Sequence, residues 1–162
     1  MVFGTAVRLL GNPADAEDIA QTVFLKAFQR FEAVSASESA AGWLKTVTRN
    51  ACLNHLSRYR ARWQFFSELA HGGDDQAEYE VAADAPSAAL TLEHADERER
   101  LEQGLRALPE HQRVPLVLFH FEEMPYQTIA DTLGISLGKV KTDIHRGREA
   151  LKHFLSPGHA SR

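Results

Sequence analysis

From Ser39 through Ser67 the chain carries no acidic residue, while Lys45, Arg49, Arg58, Arg60 and Arg62 recur among Trp43, Asn50, Asn54 and Tyr59. A helix that only faces water usually mixes both signs of charge. Cations neutralise phosphates, amides pair with base edges and rings stack on unpaired bases, so this set suits nucleic acid. Asn50, Asn54 and Arg58 stand four residues apart and share one helical face, with Leu44, Val47 and Ala51 left as a core stripe. A second basic set follows near the C-terminus: Lys139, Lys141, Thr142, His145, Arg146 and Arg148 are expected to face outward from a helix whose Val140, Ile144, Gly147 and Leu151 face inward. Other chemistries lack their residues. The sequence has no Gly-rich phosphate loop, no G-x-S-x-G and no H-E-x-x-H. The single cysteine, Cys52, permits no disulfide within the chain and reads as a packed small hydrophobe. The eight histidines are scattered, and His111 and His120 lack the i, i+4 spacing of a zinc pair. No catalytic residue, metal site or cofactor is expected.

The elements that must position these residues are all helical. Met1–Leu10 reads as the tail of a helix, broken at Gly11-Asn12-Pro13. Asp15 opens the next helix, with Asp15, Glu17 and Asp18 at its dipole-favoured start. Its stripe is Ala16, Ile19, Ala20, Val23, Ala27 and Phe31, widened by Phe24 and Phe28. Glu32–Gly42 reads as a loop, and Trp43 to about Trp63 as the acid-free helix. Gln64 to about Ser87 has no sustained period and reads as a flexible linker. Helix resumes over Ala88–Leu108 and Glu110–Phe121, the latter starting near Arg113 or kinking at Pro115. Tyr126–Leu133 is a short helix with Ile129, Ala130 and Leu133 on its buried face. Gly134 suits its left-handed C-cap, and Ser136 the N-cap of the basic helix. Helix, glycine turn and basic helix form a helix-turn-helix, which places its second helix in the major groove. A structural helical hairpin with a solvated basic face would give the same pattern.

The net charge of −4 misleads about partners. Glu68–Gln103 holds 11 acids and 2 bases, so the rest of the chain is net +5. No apolar run approaches the ~20 residues of a membrane span, and no signal peptide is recognisable, so a soluble, cytoplasmic protein without membrane insertion is expected.

Three blocks, in order, resemble the extracytoplasmic-function (ECF) group of the sigma-70 family, the promoter-recognition subunits of bacterial RNA polymerase. DAEDIAQTVFLKAFQRF is similar to the helix that docks on the polymerase clamp, and WLKTVTRNACLNHLSRYRAR to the helix that reads the melted −10 element. The stretch from LRALPEHQRVPLVLF through PYQTIADTLGISLGKVKTDIHRGREAL is similar to the domain that binds the −35 element. The resemblance implies an all-α protein of two small helical domains joined by a flexible acidic linker. Residues 1–64 would be region 2-like, 65–88 the linker and 89–156 region 4-like. It implies core-polymerase contacts at Asp18, Gln21, Thr22 and Phe24. It implies −10 contacts at Lys45, Arg49, Asn50, Asn54 and Arg58, and −35 contacts at Tyr126, Gln127, Lys141, Thr142, His145 and Arg146. The partners would be core RNA polymerase, promoter DNA and an anti-sigma factor, and the chain would not be an enzyme. A stand-alone helix-turn-helix regulator is the alternative, but it leaves the acid-free helix unexplained.

The sequence departs from the family pattern in three places. The helix that usually precedes the segment beginning at Met1 is expected to be missing. Thr128 stands where the family usually has Glu, and Asp143 where it usually has a basic residue. If Asp143 faced phosphate, Asp143→Lys would strengthen −35 binding and steepen its salt dependence.

Overall fold

The computed structural model describes residues 1–36, 39–57 and 95–156. These form eight helices: α1 (Val2–Leu10), α2 (Pro13–Gln29), α3 (Phe31–Ser35), α4 (Ala40–Ser57), α5 (Ala95–Ala107), α6 (Glu110–His120), α7 (Tyr126–Leu133) and α8 (Leu137–Leu155). No strand occurs among the described residues. The expected linker and Arg58 lie outside them.

Helix α1 is the hub. Val2, Thr5, Ala6, Leu9 and Leu10 are buried at the i, i+3, i+4, i+7, i+8 spacing of a wide apolar stripe. One side of α1 packs on α2 and α4, and the other on α5 and α6. Ala6, Leu9 and Leu10 therefore share one core with Leu105, Leu108, Val114 and Val117 from the second half. The chain leaves α1 through Gly11, whose φ of 69° is the left-handed conformation that favours glycine. It enters α2 through Asn12, whose side chain accepts from the Ala14 N–H at 2.9 Å, with Pro13 at the first helical position. The helix thus starts two residues before the expected Asp15.

The buried stripe of α2 is narrow, Ala16, Ala20 and Val23. Phe24, Phe28 and Phe31 were expected to extend the core stripe. They are exposed instead, Phe28 by 80%. The expected Glu32–Gly42 loop holds most of α3 and the first three residues of α4.

In the second half α6 runs unbroken from Glu110, with Pro115 inside it. Pro115 cannot donate to the carbonyl of His111, so one rung is missing. The ring is fully buried within a run of buried residues from Arg113 to Leu118, and this packing offsets the lost bond. Helices α7 and α8 meet as read from sequence. Gly134 caps α7 at φ 68°, and Ser136 Oγ accepts from the Lys139 N–H at 3.1 Å.

Candidate polymerase and nucleic-acid interfaces

Asn50 and Asn54 are exposed on α4 and line an open pocket of about 390 Å³. Trp43, Val47 and Ala51 form its α4 wall, and Lys26, Gln29 and Arg30 of α2 the opposite wall. Two cations, three amides and an indole converge there. That is the donor, acceptor and stacking set needed to hold an unpaired base with its phosphate. The α2 contribution was not read from the sequence. Its signal was available, since Lys26, Gln29 and Arg30 cluster at three- and four-residue steps at the C-terminal end of α2, beside the stripe of Ala20 and Val23 that packs on α4.

Lys45 and Arg49 point elsewhere. Lys45 Nζ donates to the Phe121 carbonyl at 3.1 Å, and an Arg49 guanidinium nitrogen lies 4.0 Å from Glu122 Oε2. Both are partly buried, so the residues expected to contact the −10 strand divide between two faces of α4. Cys52 is buried, and burial, with Glu122 adding to it, pushes its thiol up to about 12. It stays protonated at neutral pH, as a packing residue would.

On α2, Asp18, Gln21, Thr22 and Phe24 are all exposed, and Leu25 and Phe28, with Phe31 at the start of α3, extend them into an apolar surface. Thr22 Oγ1 donates to the Asp18 carbonyl at 2.9 Å, which leaves the Asp18 carboxylate outside that bond.

At the helix-turn-helix, Gln127, Lys141 and Arg146 are exposed, while Tyr126, Thr142 and His145 are half-buried. Gln127 Nε2 donates to Asp131 at 3.0 Å, and the Tyr126 ring leans on Phe119 with centroids 4.6 Å apart. One expectation fails here: Lys139 does not face outward. The condition set for Asp143 is not met either, since it does not face outward toward phosphate: both residues are buried, Asp143 to 1% exposure, and Lys139 Nζ donates to both Asp143 oxygens at 2.6 Å. Arg148 is also engaged, donating through Nε to His120 Nε2 at 3.1 Å. Thr128 is exposed on α7.

A scan against family models matches residues 1–62 to Sigma-70 region 2 and residues 98–151 to Sigma-70 region 4. The ECF RNA polymerase sigma factor SigW of Bacillus subtilis strain 168 is 30% identical over 158 residues, covering 95% of this chain and 82% of that protein. The chain belongs to the ECF group of the sigma-70 family. RNA polymerase sigma factor YlaC of the same organism is 33% identical, covering 85% of this chain and 75% of that protein. Among solved structures, the sigma factor RpoE in complex with the anti-sigma factor NepR from Bartonella quintana has the same fold. Its TM-score is 0.52 at 22% identity, covering 97% of this chain and 91% of that one. In this sigma factor the region 2 match spans α1–α4, and the region 4 match takes in most of α5, all of α6 and α7 and most of α8. Among the described residues no helix is long and apolar enough to cross a membrane, and no group of His, Cys, Asp or Glu could hold a metal ion.

Two imidazoles pack where α6 meets α8. Burial pulls His111 below the ordinary 6.5, with Asp143 opposing and Lys139 and Arg146 adding to the fall. Burial does the same to His120, with Arg148 adding. A folded-state value below the unfolded one means the folded chain gives up protons that the unfolded chain binds. The resulting stability is full above about pH 6.5 and is lost as pH falls through the folded values. Burial raises Asp143 and Glu122, which therefore act with the opposite sign, nearer their ordinary 3.8 and 4.5. Melting curves from pH 7.5 to 5.5 should show the midpoint falling, and the slope should flatten in a His111→Gln/His120→Gln variant. Equal slopes in parent and variant would show that neither imidazole carries the effect.

Proposed function

We propose that the chain is a transcription initiation factor that binds bacterial core RNA polymerase and directs it to promoters with −10 and −35 elements. The observation that carries this reading is the pocket between α2 and α4. A regulator that reads only duplex DNA has no use for a site of amides, cations and an indole shaped for an extruded base, and a sigma factor opens its promoter. Holding a base out of the stack costs a few kcal/mol, and the polar contacts of Asn50 and Asn54 with stacking on Trp43 would offset that.

In this reading residues 1–64 form the unit that binds polymerase and the −10 strand, 65–88 link it, and 89–156 form the −35 reader. Asp18, Gln21, Thr22 and Phe24, extended by Leu25, Phe28 and Phe31, meet the polymerase clamp. Asn50 and Asn54 hold the extruded base, Lys45, Arg49 and Arg58 meet neighbouring phosphates, and Lys26 and Arg30 join them. Lys141, Thr142, His145 and Arg146 enter the −35 groove while Tyr126 and Gln127 touch the backbone. The chain has no catalytic activity of its own, works in the cytoplasm, and by family analogy is held in check by an anti-sigma protein.

Promoter-specific run-off transcription with purified core polymerase tests the reading. Failure to bind core, with tight specific duplex binding by the chain alone, would favour the stand-alone regulator. Asn50→Ala should lower open-complex formation by about tenfold, the loss of one good base contact, without weakening core binding. A loss of core affinity would instead place α4 against polymerase.

A further inference from the structure

Arg148 follows Lys141 and His145 at the i, i+4, i+7 spacing of one helical face, yet its guanidinium is turned toward α6. Its Nε donates to His120 Nε2 at 3.1 Å, and its Cζ lies 5.6 Å from the centre of the Phe119 ring. The His120 ring meets the same phenylalanine edge-on, with centroids 4.9 Å apart and planes at 81°. Phe119 in turn carries the Tyr126 ring, 4.6 Å away and tilted by 51°. Three helices therefore meet in one relay. Arg148 of α8 and His120 of α6 bear on Phe119, and Phe119 bears on Tyr126, the first residue of α7. Phe119 and Tyr126 are both half-buried against the core. His120 can accept at Nε2 only as a neutral imidazole with its proton on Nδ1. Burial, with Arg148 adding to it, holds the imidazole below its ordinary 6.5 and so keeps that form at neutral pH.

We propose that His120 and Arg148 are positioning residues for DNA binding: they clamp Phe119, which holds the Tyr126 ring so that its hydroxyl donates to a phosphate of the −35 duplex. The inference rests on the reading that Tyr126 touches the −35 backbone. A tyrosine hydroxyl is one of the groups that bind phosphate oxygens and so fix the register of a reading helix. A ring free to turn about its side-chain torsions has to be ordered on binding, which lowers affinity, whereas a ring already held contributes its contact in full. A guanidinium on the face of Lys141 and His145 could instead have met a phosphate itself. Here its Nε is committed to an imidazole and its charge lies over a phenyl ring, an arrangement that orients neighbours. Salt separates the two roles. A cation on a phosphate contributes about one to the slope of affinity against salt, and a neutral hydroxyl contributes none.

A mutant cycle tests this on the full chain with core polymerase, binding a dye-labelled duplex that carries the −35 site the parent selects from a random pool. His120→Leu removes the acceptor without changing charge at neutral pH. It should weaken binding about three- to tenfold, as Tyr126→Phe should, the loss of one net hydrogen bond. His120→Leu/Tyr126→Phe should lie within about twofold of Tyr126→Phe alone, with the salt slope kept. His120→Gln, whose amide oxygen can accept from Arg148, should stay within about twofold of the parent. Arg148→Met keeps the stem and removes the donor. It should lose affinity as His120→Leu does, again with the slope kept, and it runs the same cycle if His120→Leu does not fold. A double variant that loses the product of the two single losses overturns the relay and leaves the Tyr126 contact standing, as does unchanged affinity in His120→Leu. Tighter binding in His120→Leu with a slope steeper by about one, or Arg148→Met with a slope shallower by about one, makes Arg148 a phosphate contact and overturns the proposal. Full affinity in Tyr126→Phe removes the reading on which the relay rests, and the relay with it.

Discussion

Asp143→Ala is expected to destabilise the chain by about 3 kcal/mol, among the largest effects available to one side-chain truncation. The carboxylate accepts from Lys139 through both oxygens at 2.6 Å, both residues are buried, and His111 and Arg146 add weaker attraction. Truncation leaves the ammonium buried without its counter-ion near the start of α8, where the helix dipole also disfavours a cation. The low end of the range for a broken buried pair applies, because the flexible lysine stem can swing toward water. Burial raises the Asp143 carboxyl even against the Lys139 bond, so desolvation outweighs the attraction. It follows that Lys139→Met/Asp143→Leu should lie within about 1 kcal/mol of the parent, or above it. Urea unfolding of the four corners of this cycle measures the coupling. If Asp143→Ala and Lys139→Met each cost less than about 0.5 kcal/mol, the pair is not buried in solution. Asp143→Lys, which would strengthen −35 binding only if Asp143 faced phosphate, should instead set two ammonium groups against each other in the α6–α8 packing and lose DNA binding with the fold.

That reversal shows what the sequence makes legible and what it hides. The helix-turn-helix was readable because its signals are local: Gly134 takes the left-handed cap and Ser136 the N-cap, and both depend on neighbours within four residues. The burial of Lys139 and Asp143 depends on α6, about thirty residues away in sequence, and opposite charges at i, i+4 are usually a solvated pair. A clue was present in the row Lys139, Asp143, Gly147, which runs beside Val140 and Ile144 and shares their inward half of the helix. The acid-free helix was legible as a polar surface, but its two faces were not separable. Asn50 and Asn54 open onto the pocket because α2 stands opposite them, while Lys45 and Arg49 turn toward Phe121 and Glu122, over seventy residues away in sequence. The exposed phenylalanines of α2 and the start of α3 failed in the other direction. Their spacing fits a core stripe, and periodicity cannot tell a core from a surface reserved for another protein.

Arg113→Ala should cost about 3 kcal/mol and be felt in both halves of the chain. The guanidinium is buried and donates to the Leu108 carbonyl at 2.9 Å, the Leu10 carbonyl at 3.0 Å and, more weakly, the Leu9 carbonyl at 3.5 Å. Leu9 and Leu10 end α1, so one cation from α6 satisfies orphan carbonyls of the hub helix and faces the negative end of its dipole. Hydrogen bonds to a charged group contribute roughly 1.5–3 kcal/mol each, and the alanine leaves buried carbonyls without donors. Burial lowers the arginine pKa, with Glu110 opposing, but a guanidinium keeps its charge in proteins. Arg113→Lys should recover only part of the loss, since an ammonium lacks the planar fork that spans carbonyls from two helices. Gly11→Ala approaches the same joint from the other side. Its backbone sits at φ 69°, and an added Cβ would lie 2.5 Å from Arg113 Cζ, so the substitution combines backbone strain with displacement of the guanidinium. Hydrogen exchange should then quicken together at the end of α1 and the start of α6 in Arg113→Ala and Gly11→Ala. Faster exchange confined to α6 would mean that Arg113 serves its own half alone and that α1 is held to it by apolar packing.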